Sequence, residues 1–172
     1  MLEDLTGKQV IGFRAPSWSI TEKSFWALEI LNDLGFKYDS SIIPFKNFLY
    51  GVDGAPRYPY LANRYCQGAG ELLEIPTATA KILKLTLPFA GGFYLRALPY
   101  SVISHFAQST NKKGYPVVFY LHPREIDRNH PKIKLGLRDA LIHYYGVRGC
   151  RKKFEKIVQQ FECTSMKDAF FK

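Results

Sequence analysis

The segment Gln9-Val10-Ile11-Gly12-Phe13-Arg14-Ala15-Pro16, followed from Thr21 by Glu22-Lys23-Ser24-Phe25-Trp26-Ala27-Leu28-Glu29-Ile30-Leu31-Asn32-Asp33-Leu34 and closed by Gly35-Phe36-Lys37-Tyr38-Asp39, decides the fold class. Val10, Ile11 and Phe13 form a short β-prone run that Pro16 ends, so Gln9 to Phe13 reads as a strand. Thr21 caps a helix from about Glu22 to Leu34, with Trp26, Ala27, Ile30, Leu31 and Leu34 on one face, and Gly35 ends it. Phe36 to Asp39 follows as a second strand. Strand, helix, glycine and strand at this spacing make a βαβ unit, which predicts an α/β fold with a parallel sheet.

Upstream, a helix closes at Gly7. Downstream, residues 40–70 show no period and collect Pro44, Gly51, Gly54, Pro56, Pro59, Gly68 and Gly70. A loop of that length inside one domain is expected to work at a site, which makes it a candidate substrate-binding segment. Short β-prone runs at Leu72–Ile75, Ala80–Leu85 and Gly92–Leu95 come next. A helix over Pro99–Gln108 then leads into the strongest expected strand, Pro116 to Leu121. The remainder reads as helices over Lys134–Tyr144 and Arg148–Gln160 and a last strand, Glu162 to Ser165. The whole chain, 1–172, reads as a single domain.

With 172 residues, 47% of them hydrophobic, the chain is long enough for a packed core. Its longest uncharged stretch, Leu85 to Leu95, is interrupted by Pro88, Gly91 and Gly92 and is too short to span a bilayer. The first residues, Met1-Leu2-Glu3-Asp4-Leu5, carry acids where a secretory signal carries basic residues. Cys66, Cys150 and Cys163 form no CxxC pair. A cytoplasmic location with reduced thiols is the expectation. Most of the net charge of +9 lies in residues 128–172. There Arg148, Arg151, Lys152, Lys153 and Lys156 alternate with Val147, Cys150, Phe154, Ile157, Val158 and Phe161 at helical spacing. This reads as a solvated basic face. The alternative is binding of an anionic polymer through the basic tail; no nucleic-acid motif accompanies it.

Chemistry-bearing residues stand at the ends of the expected strands. The run Val117-Val118-Phe119-Tyr120-Leu121 delivers His122-Pro123-Arg124-Glu125, the first strand delivers Arg14, and the second delivers Asp39 with Ser40 and Ser41. In α/β proteins the C-terminal edge of the strands is where sites are built. Each residue also has a structural reading: a hydrogen-bonded histidine, a surface ion pair, an Asx turn.

The segments Gly12-Phe13-Arg14-Ala15-Pro16-Ser17-Trp18, Gly35-Phe36-Lys37-Tyr38-Asp39-Ser40-Ser41, Gly91-Gly92-Phe93-Tyr94-Leu95-Arg96 and Tyr120-Leu121-His122-Pro123-Arg124-Glu125-Ile126-Asp127 resemble polysaccharide deacetylases of the NodB-homology type. The nearest branch is the one beside bacterial exopolysaccharide and PEP-CTERM sorting loci. The resemblance runs over roughly residues 2 to 166. It implies a distorted (β/α)7 barrel and hydrolysis of N-acetyl groups on an amino-sugar polymer, assisted by a divalent, zinc-like metal. Carried over by position, Arg14 resembles the arginine that holds the base carboxylate, His122 the general acid, and Asp39 the acid that supports that histidine. Trp18, Tyr94 and Leu121 resemble apolar walls of the substrate pocket, and Arg96 and Arg124 are further substrate-binding candidates. One departure is Tyr120, where members often carry leucine.

The larger departure is an absence. The paired aspartates and the His-x-x-x-His that bind the family's metal precede the arginine motif, and neither is in this sequence. His105, His122, His130 and His143 have no spacing for shared coordination. The expectation is therefore a partial barrel lacking its N-terminal strands, inactive alone, with an open strand edge and an uncovered apolar face. Such a chain would self-associate or bind a separate N-terminal fragment. The alternative from another class is a non-catalytic saccharide-binding module.

Overall fold

The computed structural model describes residues 1–46, 50–127, 129–131 and 133–171. The chain divides into two compact units, Met1–Thr77 and Ala78–Phe171.

In the first unit, α1 (Leu2–Thr6) ends at Gly7 in the left-handed conformation. Strand β1 (Gly12–Phe13), helix α2 (Trp26–Asp33) and strand β2 (Tyr38–Asp39) form the βαβ unit, with β1 and β2 parallel and Gly12 opposite Tyr38. Strand β4 (Leu73–Glu74) adds in parallel to β2, and β3 (Tyr60–Leu61) pairs antiparallel with β4, giving the order β1-β2-β4-β3. Glycine is required at position 12 by close approach: a Cβ there would lie 1.9 Å from the Tyr38 ring.

Helix α2 starts four residues later than its sequence pattern indicates, and its inward face is the expected one only in part, with Ala27 and Leu31 on the core. Leu28 and Leu31 are buried, whereas Trp26, Ile30 and Leu34 of the expected core face are 63%, 47% and 69% exposed. The helix packs against the 3-10 turn Gln67–Ala69, which selects the Leu28/Leu31 side. Burying those two leucines contributes about 1.5–3 kcal/mol each. The core also takes Ile42, Val52, Ala55, Ala62, Ala69 and Leu72. Much of the segment 40–70 is thus core and not an open binding loop; its residues 47–49 lie outside the described residues.

In the second unit, β5 (Thr79–Ile82) and β6 (Leu85–Pro88) form an antiparallel hairpin. Helices α3 (Gly92–Ala97), α4 (Tyr100–Asn111), α5 (Pro123–Ile126), α6 (Leu137–Tyr144), α7 (Val147–Gln160) and α8 (Met166–Phe170) follow. Phe89, Leu95, Ile103, Ala107, Cys150 and Ile157 are its core. Phe89 meets the rings of Phe106 and Phe119 at 5.5 and 6.4 Å.

Three expectations are corrected here. Gly92–Leu95 is helical, because the turn at Gly91-Gly92 opens α3. Residues 162–165 form no strand, and Ser165 instead caps α8 by accepting from the Asp168 amide. Pro116–Leu121 makes one parallel bridge, Tyr120 to Gly91, because β-propensity gives a ladder only where a neighbouring strand is present. At that bridge the Tyr120 ring lies over the glycine pair, and a Cβ at Gly91 would come within 2.3 Å of it. Glycine at 91 thus makes room for tyrosine at 120.

Candidate functional site

The C-terminal ends of β1 and β2 lie side by side, and the sequence places Arg14 and Asp39 there. Arg14 donates from Nε to the Ser40 carbonyl (2.8 Å) and from a terminal nitrogen to Ser40 Oγ (2.5 Å). Ser41 Oγ accepts the Ala15 amide at 2.7 Å and donates to Asp39 Oδ1 at 2.6 Å. Two adjacent strand ends are thereby tied by serines. Directly after Ala15-Pro16, Ser17 and Trp18 hold consecutive left-handed conformations (φ 57° and 49°). Non-glycine residues pay about 1–3 kcal/mol each for such backbone, a strain that gathers at functional segments. Trp18 is half-buried, with its ring 5.8 Å from that of Tyr50.

Asp39 is fully buried, and strand register puts Glu74 beside it and Tyr60 beside Glu74. Asp39 Oδ2 and Glu74 Oε2 are both buried with no hydrogen-bond partner among the described residues. Glu74 accepts the Ile42 amide at 3.0 Å. Burial pushes both carboxyls above their ordinary values, and the charge at Asp39 pushes Glu74 further, which favours retention of a proton on the pair. Burial, then the charge at Glu74, also raises the Tyr60 phenol. Glu74 is the member of this cluster that sequence reasoning missed. Its signal was a single acid within the apolar run Leu72-Leu73-Glu74-Ile75.

The retained proton makes stability depend on pH. The folded pair retains a proton that the unfolded carboxyls lose above about pH 4, so its contribution is complete in acid and is lost as pH rises through the raised folded values. Glu74→Gln places a permanent amide donor against Asp39. Urea denaturation at about pH 5 and about pH 9 should show this alkaline loss in the parent chain and a flattened profile in the variant. An unchanged slope would mean that the pair does not retain a proton.

The second unit holds the other candidates. The His122 imidazole is exposed, and Glu125 Oε2 fixes its backbone by accepting the His122 amide at 3.0 Å. Glu125 Oε1 accepts from Arg96 Nε at 3.0 Å, an ion pair whose side chains are 0% and 2% exposed. The remaining Arg96 nitrogens donate to the carbonyls of Ile142, His143 and Tyr145 at 2.7–3.0 Å, capping the C-terminal end of α6. Arg96, expected at the substrate, is thus buried and engaged with Glu125 and three backbone carbonyls. Lys153 of α7 does the same for α3, donating to the carbonyls of Leu95, Arg96 and Leu98, and burial holds its pKa below the ordinary lysine value. Leu121 and Tyr94 are both half-buried, Leu121 packing against the core and Tyr94 standing on α3. Arg124 donates to the His143 ring, with nitrogen distances of 2.6 and 3.0 Å. Partial burial and the guanidiniums of Arg124 and Arg96 keep His143 below its ordinary value.

Among the described residues no three His, Cys, Asp or Glu side chains come together to hold a metal ion. The buried carboxyl pair of the first unit, Asp39 and Glu74, has no histidine within its own unit. The residues present do not fit the implied zinc-like ion, and no step below is derived through one. No helix of the described residues is long and apolar enough to cross a membrane.

A family model matches the sequence of most of the chain. The chain belongs to the family described as Domain of unknown function (DUF3473), whose model covers residues 40–171. Tyr94, Arg96, Leu121, His122 and Arg124 lie within the match; Arg14, Trp18 and Asp39 precede it. No curated protein and no solved structure matches the chain.

Proposed function

We propose that the chain is the C-terminal portion of a polysaccharide deacetylase catalytic domain, built as a partial distorted (β/α)7 barrel and hydrolysing the N-acetyl amide of an amino-sugar polymer. The observation that carries the reading is the placement of Arg14 and Asp39 at the C-terminal ends of neighbouring parallel strands, followed by the strained Ser17-Trp18 turn. The resemblance of these segments and of the His122 segment to deacetylases supplies the chemistry. Water adds to the acetyl carbonyl, the carbon–nitrogen bond breaks, and the amine leaves with a proton from His122 while acetate is released. In the first unit the resemblance gives Arg14 the role of orienting a carboxylate and Trp18 that of an apolar wall; in the second unit it gives Tyr94 that of an apolar wall.

In the resemblance, the residues that activate the water precede the arginine motif and are not among residues 1–172. Two features support a partner: β1 is an edge strand of its sheet, and α2 presents Trp26, Ile30 and Leu34 to solvent. Trp26→Ser with Ile30→Asp should leave stability within about 0.5 kcal/mol and weaken self-association or complex formation at least tenfold, read by light scattering. Unchanged association would remove α2 from the interface.

The reading is tested by supplying zinc and the polypeptide encoded directly upstream of Met1 and measuring acetate from an N-acetylglucosamine pentamer. Acetate from the mixture, and little from either piece alone, is the expected result. Tight sugar binding with no acetate would replace it with the non-catalytic saccharide module.

A further inference from the structure

The basic tail is not uniformly solvated. Residues of α5, α6 and the start of α7 line a groove of about 740 Å³ within the second unit. That is the volume of a site for a ligand of small-oligosaccharide size. Its cationic lining is Arg124, Arg148, Arg151 and Lys152, with the imidazoles of His130 and His143.

The acids of the groove do not neutralise these cations. Glu125 is already paired with Arg96 and with the His122 amide, and Asp127 accepts the Asn129 amide at the edge. Arg151 is held by Glu155 at 2.9 Å, whereas Arg148 and Lys152 have no partner among the described residues. Among the described residues Arg124 reaches the His143 ring, and its Nε is buried with no acceptor. A cation without an acceptor is stabilised by an incoming oxyanion.

The backbone adds to the same field. Helix α7 is 14 residues long, and its N-cap is Gly146, which has no side chain to satisfy the first amides. Gly146 is left-handed (φ 70°) and packs on the Arg96 carbonyl, so the residue that leaves those amides open is fixed by the fold. The open amides carry the positive end of the helix dipole into the groove.

We propose that this groove binds a carboxylate of an acidic saccharide, so that the polymer the chain acts on is anionic. That the oxyanion is carried by a sugar rests on the deacetylase reading; the charge and shape of the groove do not. Tyr144, which also lines the groove, supplies an aromatic surface for a sugar ring, with its hydroxyl anchored to the backbone of Ile133.

Isothermal titration of the full chain with a galacturonate tetramer, a neutral N-acetylglucosamine tetramer, inorganic phosphate and a short oligouridylate tests this. The uronate should bind with an affinity that falls as salt rises. Arg148→Glu with Lys152→Glu should weaken it at least tenfold. Lys112→Glu with Lys113→Glu, an equal charge change at the end of α4, should change it less than twofold. Circular dichroism verifies that both variants fold, since all four side chains are exposed.

Equal loss in both variants, or no loss in either, would overturn the groove assignment. Binding of the neutral sugar as tightly as the uronate would overturn the choice of an acidic ligand. Phosphate or oligouridylate binding at the groove in preference to the uronate would overturn the saccharide assignment. Each result is independent of acetate release, so failure here is distinguishable from failure of the deacetylase reading.

Discussion

Arg96→Leu should destabilise the chain by about 3–5 kcal/mol, the range for removing one partner of a buried ion pair. The guanidinium leaves Glu125, whose side chain is fully buried, charged and without its cation. It also strips donors from the carbonyls of Ile142, His143 and Tyr145 at the end of α6. The loss exceeds that of deleting an apolar side chain because a buried charge has no water to return to. Arg96→Lys should recover only part of the stability, since one ammonium cannot reproduce the fork that reaches Glu125 and three carbonyls together. Arg96→Leu combined with Glu125→Leu should restore much of it, because the stranded charge is gone. Denaturant titration checks all three; a loss below about 1 kcal/mol for Arg96→Leu would show the pair behaving as a surface contact.

His122→Ala should lower acetate release by the reconstituted enzyme about 10²–10⁴-fold, the usual contribution of one positioned general acid. Its ring is exposed and its backbone is fixed through Glu125, so the substitution removes the imidazole without disturbing the fold. Stability should therefore stay within about 0.5 kcal/mol, and sugar affinity should change little while turnover falls. A substrate whose leaving amine carries an electron-withdrawing group should be less sensitive to the substitution, since a better leaving group needs less protonation. Parallel losses in affinity and turnover would instead make His122 a binding residue.

Features set by local spacing were legible in the sequence. The βαβ unit was readable because Gly35 and the two β-prone runs bracket a helical period, and Arg14 and Asp39 followed from where the strands had to end. The inward face of α2 was not, because Trp26, Leu28, Ile30, Leu31 and Leu34 place apolar side chains on more than one side. Only the turn Gln67–Ala69, over thirty residues away, decides between them. Glu74 drew no assignment from the sequence, because the parallel register that sets it beside Asp39 joins positions 35 residues apart. Arg96 read as a binding residue for the same reason: its partners are 29 to 49 residues distant, and pairing at that range leaves no local pattern. The stretch Pro116–Leu121 has strong strand propensity, yet one bridge to Gly91 is what the second unit offers it.

Mass spectrometry of the N-acetylglucosamine pentamer after incubation with the reconstituted protein tests the deacetylase reading most directly. An oligomer of unchanged length that has lost acetyl groups, in step with free acetate and dependent on His122, is the result this account expects. Shortened oligomers, or intact fully acetylated sugar recovered from a stable complex, would contradict it.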